Sequence, residues 1–253
     1  VFTVEGWAPK LITKSGPGVV SAPNKGSEKI MPIIKMYDTT AAMLVQAIQL
    51  VSNPRFEGLF SSFQSLAIAT RQDSLVTILK RLVAQAKHIP EVSQISFKSR
   101  VNRKVRTVTH SFLPTFLGRL GAKEEPGKVR VFAMVDWWTQ MLLRPIHLML
   151  FGVLKNIPQD ATFDQDRGVQ EGISILKRTK FAASYDLSAA TDRLPIVIQK
   201  LLIEFMIPGA SNSWADLLVG REYETPRFHR RLGMKIPVSV TYSVGQPMGA
   251  LSS

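Results

Sequence analysis

The run KVRVFAMVDWWTQMLLRPIHLMLFGVL, residues 128–154, changes period inside one window, and that change restricts the fold more than any other feature of the chain. Its first eight residues alternate in the strand manner after a Glu-Pro-Gly turn. Asp136 follows, a residue whose carboxylate can accept the free N–H groups of a helix start, and an apolar helix is then expected to about Leu154. A strand that feeds directly into an apolar helix needs layers that bury both, so the chain is read as mixed α/β. The Trp137-Trp138 pair is expected to be buried at the start of this helix rather than to stack on bases.

Other segments fit the same architecture. TTAAMLVQAIQLVSN has helical spacing, with Thr39 or Thr40 as N-cap. DSLVTILKRLVAQAKHIP predicts an amphipathic helix with Asp73 at its start, a stripe of Leu75, Ile78, Leu79, Leu82 and Val83, and Pro90 beyond its end. QEGISILKR reads as a helix and KFAASYD as a short strand. TDRLPIVIQKLLIEFM reads as one helix with Asp192 at its N-terminus and Pro195 in its first turn. KIPVSVTYSV predicts a strand and GQPMGALSS a glycine loop opening a helix. Residues 1–35, rich in Gly, Pro and Lys, read as an irregular arm.

Charge narrows the partners. The 253 residues carry a net charge of +13. Residues 71–130 hold thirteen Lys/Arg against four Asp/Glu, and FKSRVNRKVR alone holds five cations and no acid. Such a field attracts polyanions, nucleic acid first among them. The absence of cysteine excludes disulfides, thiolate catalysis and cysteine-ligated zinc. No apolar run is long enough to span a bilayer, because Arg144, Pro145 and His147 interrupt the longest. His88, His110, His147 and His229 show no ligand spacing, and Asp160, Asp164 and Asp166 lack the glycine and terminal glutamate of a calcium loop.

Three constellations remain. In KFAASYDLSAATDRLP, Asp186 closes the strand-like run and is a suitable hard-oxygen ligand for Mg²⁺, and the backbone carbonyl of Leu187 can add a second oxygen. Small residues then let a nucleotide approach, and Asp192 addresses another part of it; an Asp turn followed by an Asp cap is the plainer alternative. In KEEPGKVR, Lys123, Lys128 and Arg130 bracket a tight turn, and Lys128 and Arg130 share a strand face that suits a triphosphate. The alternative there is a basic hairpin neutralised by Glu124 and Glu125. In GQPMGALSS, Gly245 and Gly249 open backbone conformations closed to other residues, while Ser252 and Ser253 supply hydroxyls; the ending of a P-loop is missing.

GKVRVFAMVDWWTQ, DLSAATDRLP and GQPMGALSS, in this order, resemble the corresponding segments of mitovirus RNA-dependent RNA polymerases, within the narnavirus-like group, and IPQDATFDQDRG is similar to the polar loop between the first two. The likeness covers roughly residues 118–253. It implies the fingers and an incomplete palm of a right-hand polymerase: residues 1–117 as an N-terminal region and part of the fingers, 118–180 as fingers with basic motif F, and 181–253 as a partial palm with motif A and the start of motif B. By the same resemblance Lys123, Lys128 and Arg130 hold the incoming triphosphate. Asp186 and the Leu187 carbonyl bind Mg²⁺ or Mn²⁺, and Asp192 reads the ribose 2′-hydroxyl. Gly245, Gly249 and Ser252 or Ser253 form the loop that meets template or ribose. RNA template, nascent RNA and nucleoside triphosphates are the implied partners, and the mitochondrion is the implied location.

The family also uses a Gly-Asp-Asp hairpin, and no such triplet occurs in these residues. The chain begins at Val1 and stops at Ser253, so it is read as a piece of a longer protein that does not polymerise by itself. Two-metal nucleotidyl transfer needs carboxylates for both ions. Three rivals stay open: a reverse transcriptase or maturase, against which Asp192 argues, a non-catalytic basic RNA-binding protein, and an inactive relic of an integrated viral gene.

Overall fold

The computed structural model describes residues 39–86, 94–101, 104–111, 116–225 and 238–252. The predicted N-terminal arm, residues 226–237 and Ser253 lie outside the described residues. Helices α1 (Thr39–Ser52), α2 (Glu57–Ala69) and α3 (Asp73–Ala86) come first, with a single 3-10 turn between α1 and α2. On α3, Leu75, Leu79, Val83 and Ala86 are buried, the stripe that the sequence spacing dictates, whereas Ile78 of the predicted stripe stays exposed. A separate antiparallel pair of strands, β1 (Gln94–Val101) and β2 (Lys104–Ser111), follows and carries Lys98, Arg100, Lys104 and Arg106 of the cation-rich segment.

An antiparallel hairpin, β3 (Gly118–Glu125) with β4 (Lys128–Val135), leads into α4 (Trp137–Leu154). Asp136 caps α4 as expected, its carboxylate accepting from the Thr139 amide at 2.9 Å. Trp137 and Trp138 are buried edge to face, 4.8 Å between centroids, and the Trp138 indole donates to the Met43 carbonyl of α1. The helix therefore packs its first three turns into the core and lets its far end emerge, with Leu148 exposed.

Beyond it stand α5 (Gln165–Thr179), capped by Asp164, α6 (Ala190–Arg193), α7 (Ile196–Met206) and α8 (Ser211–Val219). Two-residue strands β5 (Tyr223–Glu224) and β6 (Ser239–Val240) complete a sheet of order β4-β3-β5-β6, with β3 and β5 parallel. The main core joins α1, α2, α3, α4, α7 and α8, in which Trp214, Leu217 and Leu218 of α8 are buried together with Phe63 and Leu66 of α2.

Buried Arg221 ties this frame together. Its guanidinium donates to the Asp136 carboxylate at 2.7 Å, to the Leu117 carbonyl at 3.1 Å and to the Thr139 hydroxyl at 2.8 Å. One side chain thus links the entry to β3, the β4–α4 junction and the entry to β5.

Two expectations fail here for physical reasons. Lys180–Asp186 forms no strand: the segment is irregular and exposed, and among the described residues no strand pairs with it to take its backbone hydrogen bonds. TDRLPIVIQKLLIEFM is not one helix either. Leu194 is extended (ψ 118°) because the following proline disfavours the helical region, so α6 ends there and α7 begins after Pro195. The strand predicted over KIPVSVTYSV is limited, among the described residues, to Ser239–Val240. Helices α2 and α8 and strands β1, β2 and β5 were not predicted at all.

Candidate nucleotide and RNA site

The basic turn is built by register. In the β3–β4 ladder Lys123 faces Arg130 and Glu125 faces Lys128, and residues two apart share a face, so all four side chains project from one side of the ribbon. Glu125 lies 3.7 Å from Lys123, 3.9 Å from Lys128 and 3.4 Å from Arg130. The three cations are more exposed than the carboxylate they share. The arrangement is a cationic face with one internal counter-ion, and that counter-ion is Glu125 of the two glutamates considered from sequence.

At the opposite end of β4, the glycine loop joins the ribbon to the acidic segment. The Ala133 amide donates to the Met248 carbonyl at 2.7 Å. Gly249 sits at φ +119°, and a Cβ there would strike the Ala133 carbonyl. At the loop's other end the Gly245 amide donates to the Asp192 carbonyl at 3.0 Å and the Gln246 amide to the Thr191 carbonyl at 3.1 Å. A Cβ on Gly245 would collide with the same backbone, so only glycine permits this approach. Both glycines singled out from sequence are thus required by contact, one against β4 and one against α6.

Asp192 lies in the single turn of α6, half-buried, and its Oδ1 is buried with no hydrogen-bond partner. Tyr242 stands against it. Burial first, then the Asp192 charge and hydrogen bond, push the Tyr242 phenol above the ordinary tyrosine value of 10.0 and keep it protonated. Tyr242 in turn packs edge to face on buried Tyr223 of β5, 5.3 Å between centroids.

Asp186 and Leu187 are exposed, on the irregular segment that precedes α6. No hydrogen bond or ion pair joins Asp186 to Arg130 or to the glycine loop among the described residues. A free carboxylate beside a backbone carbonyl fits one hard-oxygen edge of a Mg²⁺ or Mn²⁺ ion, which takes its other ligands from water and phosphate. Among the described residues no group of three His, Cys, Asp or Glu side chains is arranged to enclose an ion. No described helix is long and apolar enough to cross a membrane.

Ser252 is buried, 6% exposed, and its hydroxyl accepts the Trp214 indole N–H at 2.9 Å. Its side chain therefore faces α8 in this conformation, while its expected alternative, Ser253, lies outside the described residues. Gln140 had not been singled out. From α4 its Nε2 donates to the Gly249 carbonyl at 2.9 Å and its Oε1 accepts from the Leu251 amide at 3.0 Å. A polar residue within the apolar start of α4 was the only signal available to find it.

Comparisons with known proteins follow the same residues. Residues 9–253 match the family described as mitovirus RNA-dependent RNA polymerase. A segment of 133 residues is 39% identical to an RNA-directed RNA polymerase of Cryphonectria parasitica mitovirus 1, covering 51% of this chain and 15% of that protein. A segment of 51 residues is 49% identical to an uncharacterised mitochondrial protein of Arabidopsis thaliana, covering 20% of each. The chain thus spans far less than the length of the curated relatives it matches. No solved structure matches it significantly.

Proposed function

Because this chain belongs to the mitovirus RNA-dependent RNA polymerase family, we propose that it forms the nucleotide-handling part of an enzyme that copies RNA from RNA by two-metal nucleotidyl transfer. The observation that carries this reading is the glycine loop, bonded through its backbone to Thr191 and Asp192 at one end and to Ala133 of β4 at the other. A ribose-reading acid and a phosphate-binding ribbon need a fixed separation, and a loop bonded to the elements that bear both supplies one.

Each residue then has a task. Lys123, Lys128 and Arg130 neutralise the triphosphate, with the Arg130 fork suited to two phosphate oxygens at once. Asp192 accepts the ribose 2′-hydroxyl. In support, its Oδ1 is a buried acceptor without a partner, a costly arrangement that a hydroxyl donor would relieve. Tyr242 restrains the same carboxylate from the β6 side. Asp186, with the Leu187 carbonyl, holds one edge of a divalent ion, Mg²⁺ or Mn²⁺. When bound, such ions activate the attacking 3′-oxygen and neutralise the departing pyrophosphate. The remaining carboxylate is assigned to polypeptide that these 253 residues do not include, since they contain no Gly-Asp-Asp.

Asp186 lies on an irregular segment that also exposes Phe181, Tyr185 and Leu187, and α7 exposes Val197, Ile198, Leu201, Leu202 and Phe205. The five side chains of α7 recur at helical spacing, and an exposed apolar helix face of this kind marks an interaction surface. We assign it to the rest of the polymerase, which in the fungal mitovirus relative extends well beyond the aligned segment. Template and nascent RNA are the assigned partners of the cation-rich segment, fingers and palm the assigned subdomains, and the mitochondrion the assigned location.

Binding of Mg²⁺–NTP to the purified chain tests this. Wild type is expected to bind weakly and saturably, and Lys128→Ala or Arg130→Ala to weaken binding by about tenfold each, the loss of one charge-assisted phosphate contact. A chain that binds RNA in a salt-dependent manner and ignores NTP would be a plain RNA binder.

A further inference from the structure

Lys123 and Arg130 stand directly opposite one another on the β3–β4 ladder, where like charges repel. Lys128, on the same face beyond Arg130, adds to the repulsion. Among the described residues, only the Glu125 carboxylate forms ion pairs that offset it, and it does so loosely. Its distances to the cations, 3.4 to 3.9 Å, exceed those of a locked charge-assisted hydrogen bond. Glu125 is therefore shared among three cations rather than committed to one. A single carboxylate held this way can be exchanged for a group that brings more negative charge and more oxygens.

We propose that Glu125 is an internal stand-in for substrate phosphates: it gathers Lys123, Lys128 and Arg130 while the face is empty and is displaced when a polyphosphate arrives. The proposal rests on the reading of these cations as the triphosphate site and adds to it a residue that sets how tightly that site binds. Glu125 acts through the cations and is a positioning residue. In the bound state its carboxylate has lost its partners and lies beside incoming phosphate oxygens of the same sign, so it opposes binding. The opposition raises selectivity, because a monophosphate or a stray carboxylate offers too little charge to displace it.

The test is calorimetric titration of the 253-residue chain with inorganic tripolyphosphate at fixed ionic strength. Glu125→Gln is expected to bind about three- to tenfold more tightly than wild type, the scale of a small exposed ion-pair network. Glu125→Asp, which keeps the charge, is expected to remain close to wild type. Glu171→Gln, on exposed α5, is expected to do the same, which separates displacement from a general change in protein charge. Discrimination against orthophosphate is expected to narrow in Glu125→Gln. If Glu125→Gln binds tripolyphosphate no better than wild type, or no better than Glu171→Gln, the stand-in role is wrong while the triphosphate site stands. If neither wild type nor Glu125→Gln binds tripolyphosphate, the triphosphate reading itself is overturned.

Discussion

Ala189 and Gly249 make opposite use of the same region of backbone space. Ala189, between Asp186 and Asp192, is left-handed at φ 52°, where a side chain costs about 1–2 kcal/mol. Gly249 is at φ +119° with the Ala133 carbonyl where a Cβ would be. Ala189→Gly is expected to raise unfolding stability by about 1 kcal/mol, whereas Gly249→Ala is expected to lower it by more than about 2 kcal/mol, both read from denaturant midpoints. Equal effects of the two substitutions would contradict these backbone assignments. At this level the sequence was partly legible. Gly245 and Gly249 stood out by type and do sit at contacts closed to other residues. The position of Ala189 was not legible, because nothing in its identity announces a left-handed conformation. The partner of Ser252 was not legible for a related reason: the Trp214 indole that donates to its hydroxyl comes from α8, far away in sequence.

The junction of β4 with α4 carries the element that most of the site hangs from. Asp136 was identified as a helix cap, and it is one, but its carboxylate also accepts from Arg221, more than eighty positions along the chain. Such a pairing leaves no trace in local periodicity. Both partners are buried, so removing one leaves an uncompensated charge. Asp136→Asn is expected to lose about 3–5 kcal/mol of stability, with a smaller loss when Arg221→Met is added to it. A denaturant series in which Asp136→Asn alone is neutral would remove this ion pair from the account. The same distinction between local and distant causes explains the other elements. Strand β4 and helices α3 and α4 were legible because each shows its own period. Lys180–Asp186 has strand composition, but a strand also needs a neighbour, and none flanks it among the described elements. The division of α6 from α7 was available from Pro195 had its effect on Leu194 been weighed above the apolar spacing of Ile196–Met206.

Taken whole, the molecule places a cationic ribbon at one end of β4 and a glycine loop at the other, and the loop reaches back to the acid-bearing turn of α6. The order of these three constellations along the chain was legible, and family membership follows it. Their spatial connection was not, since it depends on backbone bonds between residues more than fifty positions apart, such as Gly245 to Asp192. Helix α7 buries Gln199 and Ile203 and leaves Val197, Ile198, Leu201, Leu202 and Phe205 exposed. The central claim is that this frame recognises a ribonucleoside triphosphate, its phosphates at the ribbon and its ribose at Asp192. The most direct measurement compares binding of Mg²⁺–ATP and Mg²⁺–dATP to wild type and to Asp192→Ala. Tighter binding of ATP by wild type, with the preference abolished in Asp192→Ala and dATP affinity unchanged, is the expected result; equal affinities for the two nucleotides in wild type would contradict the claim.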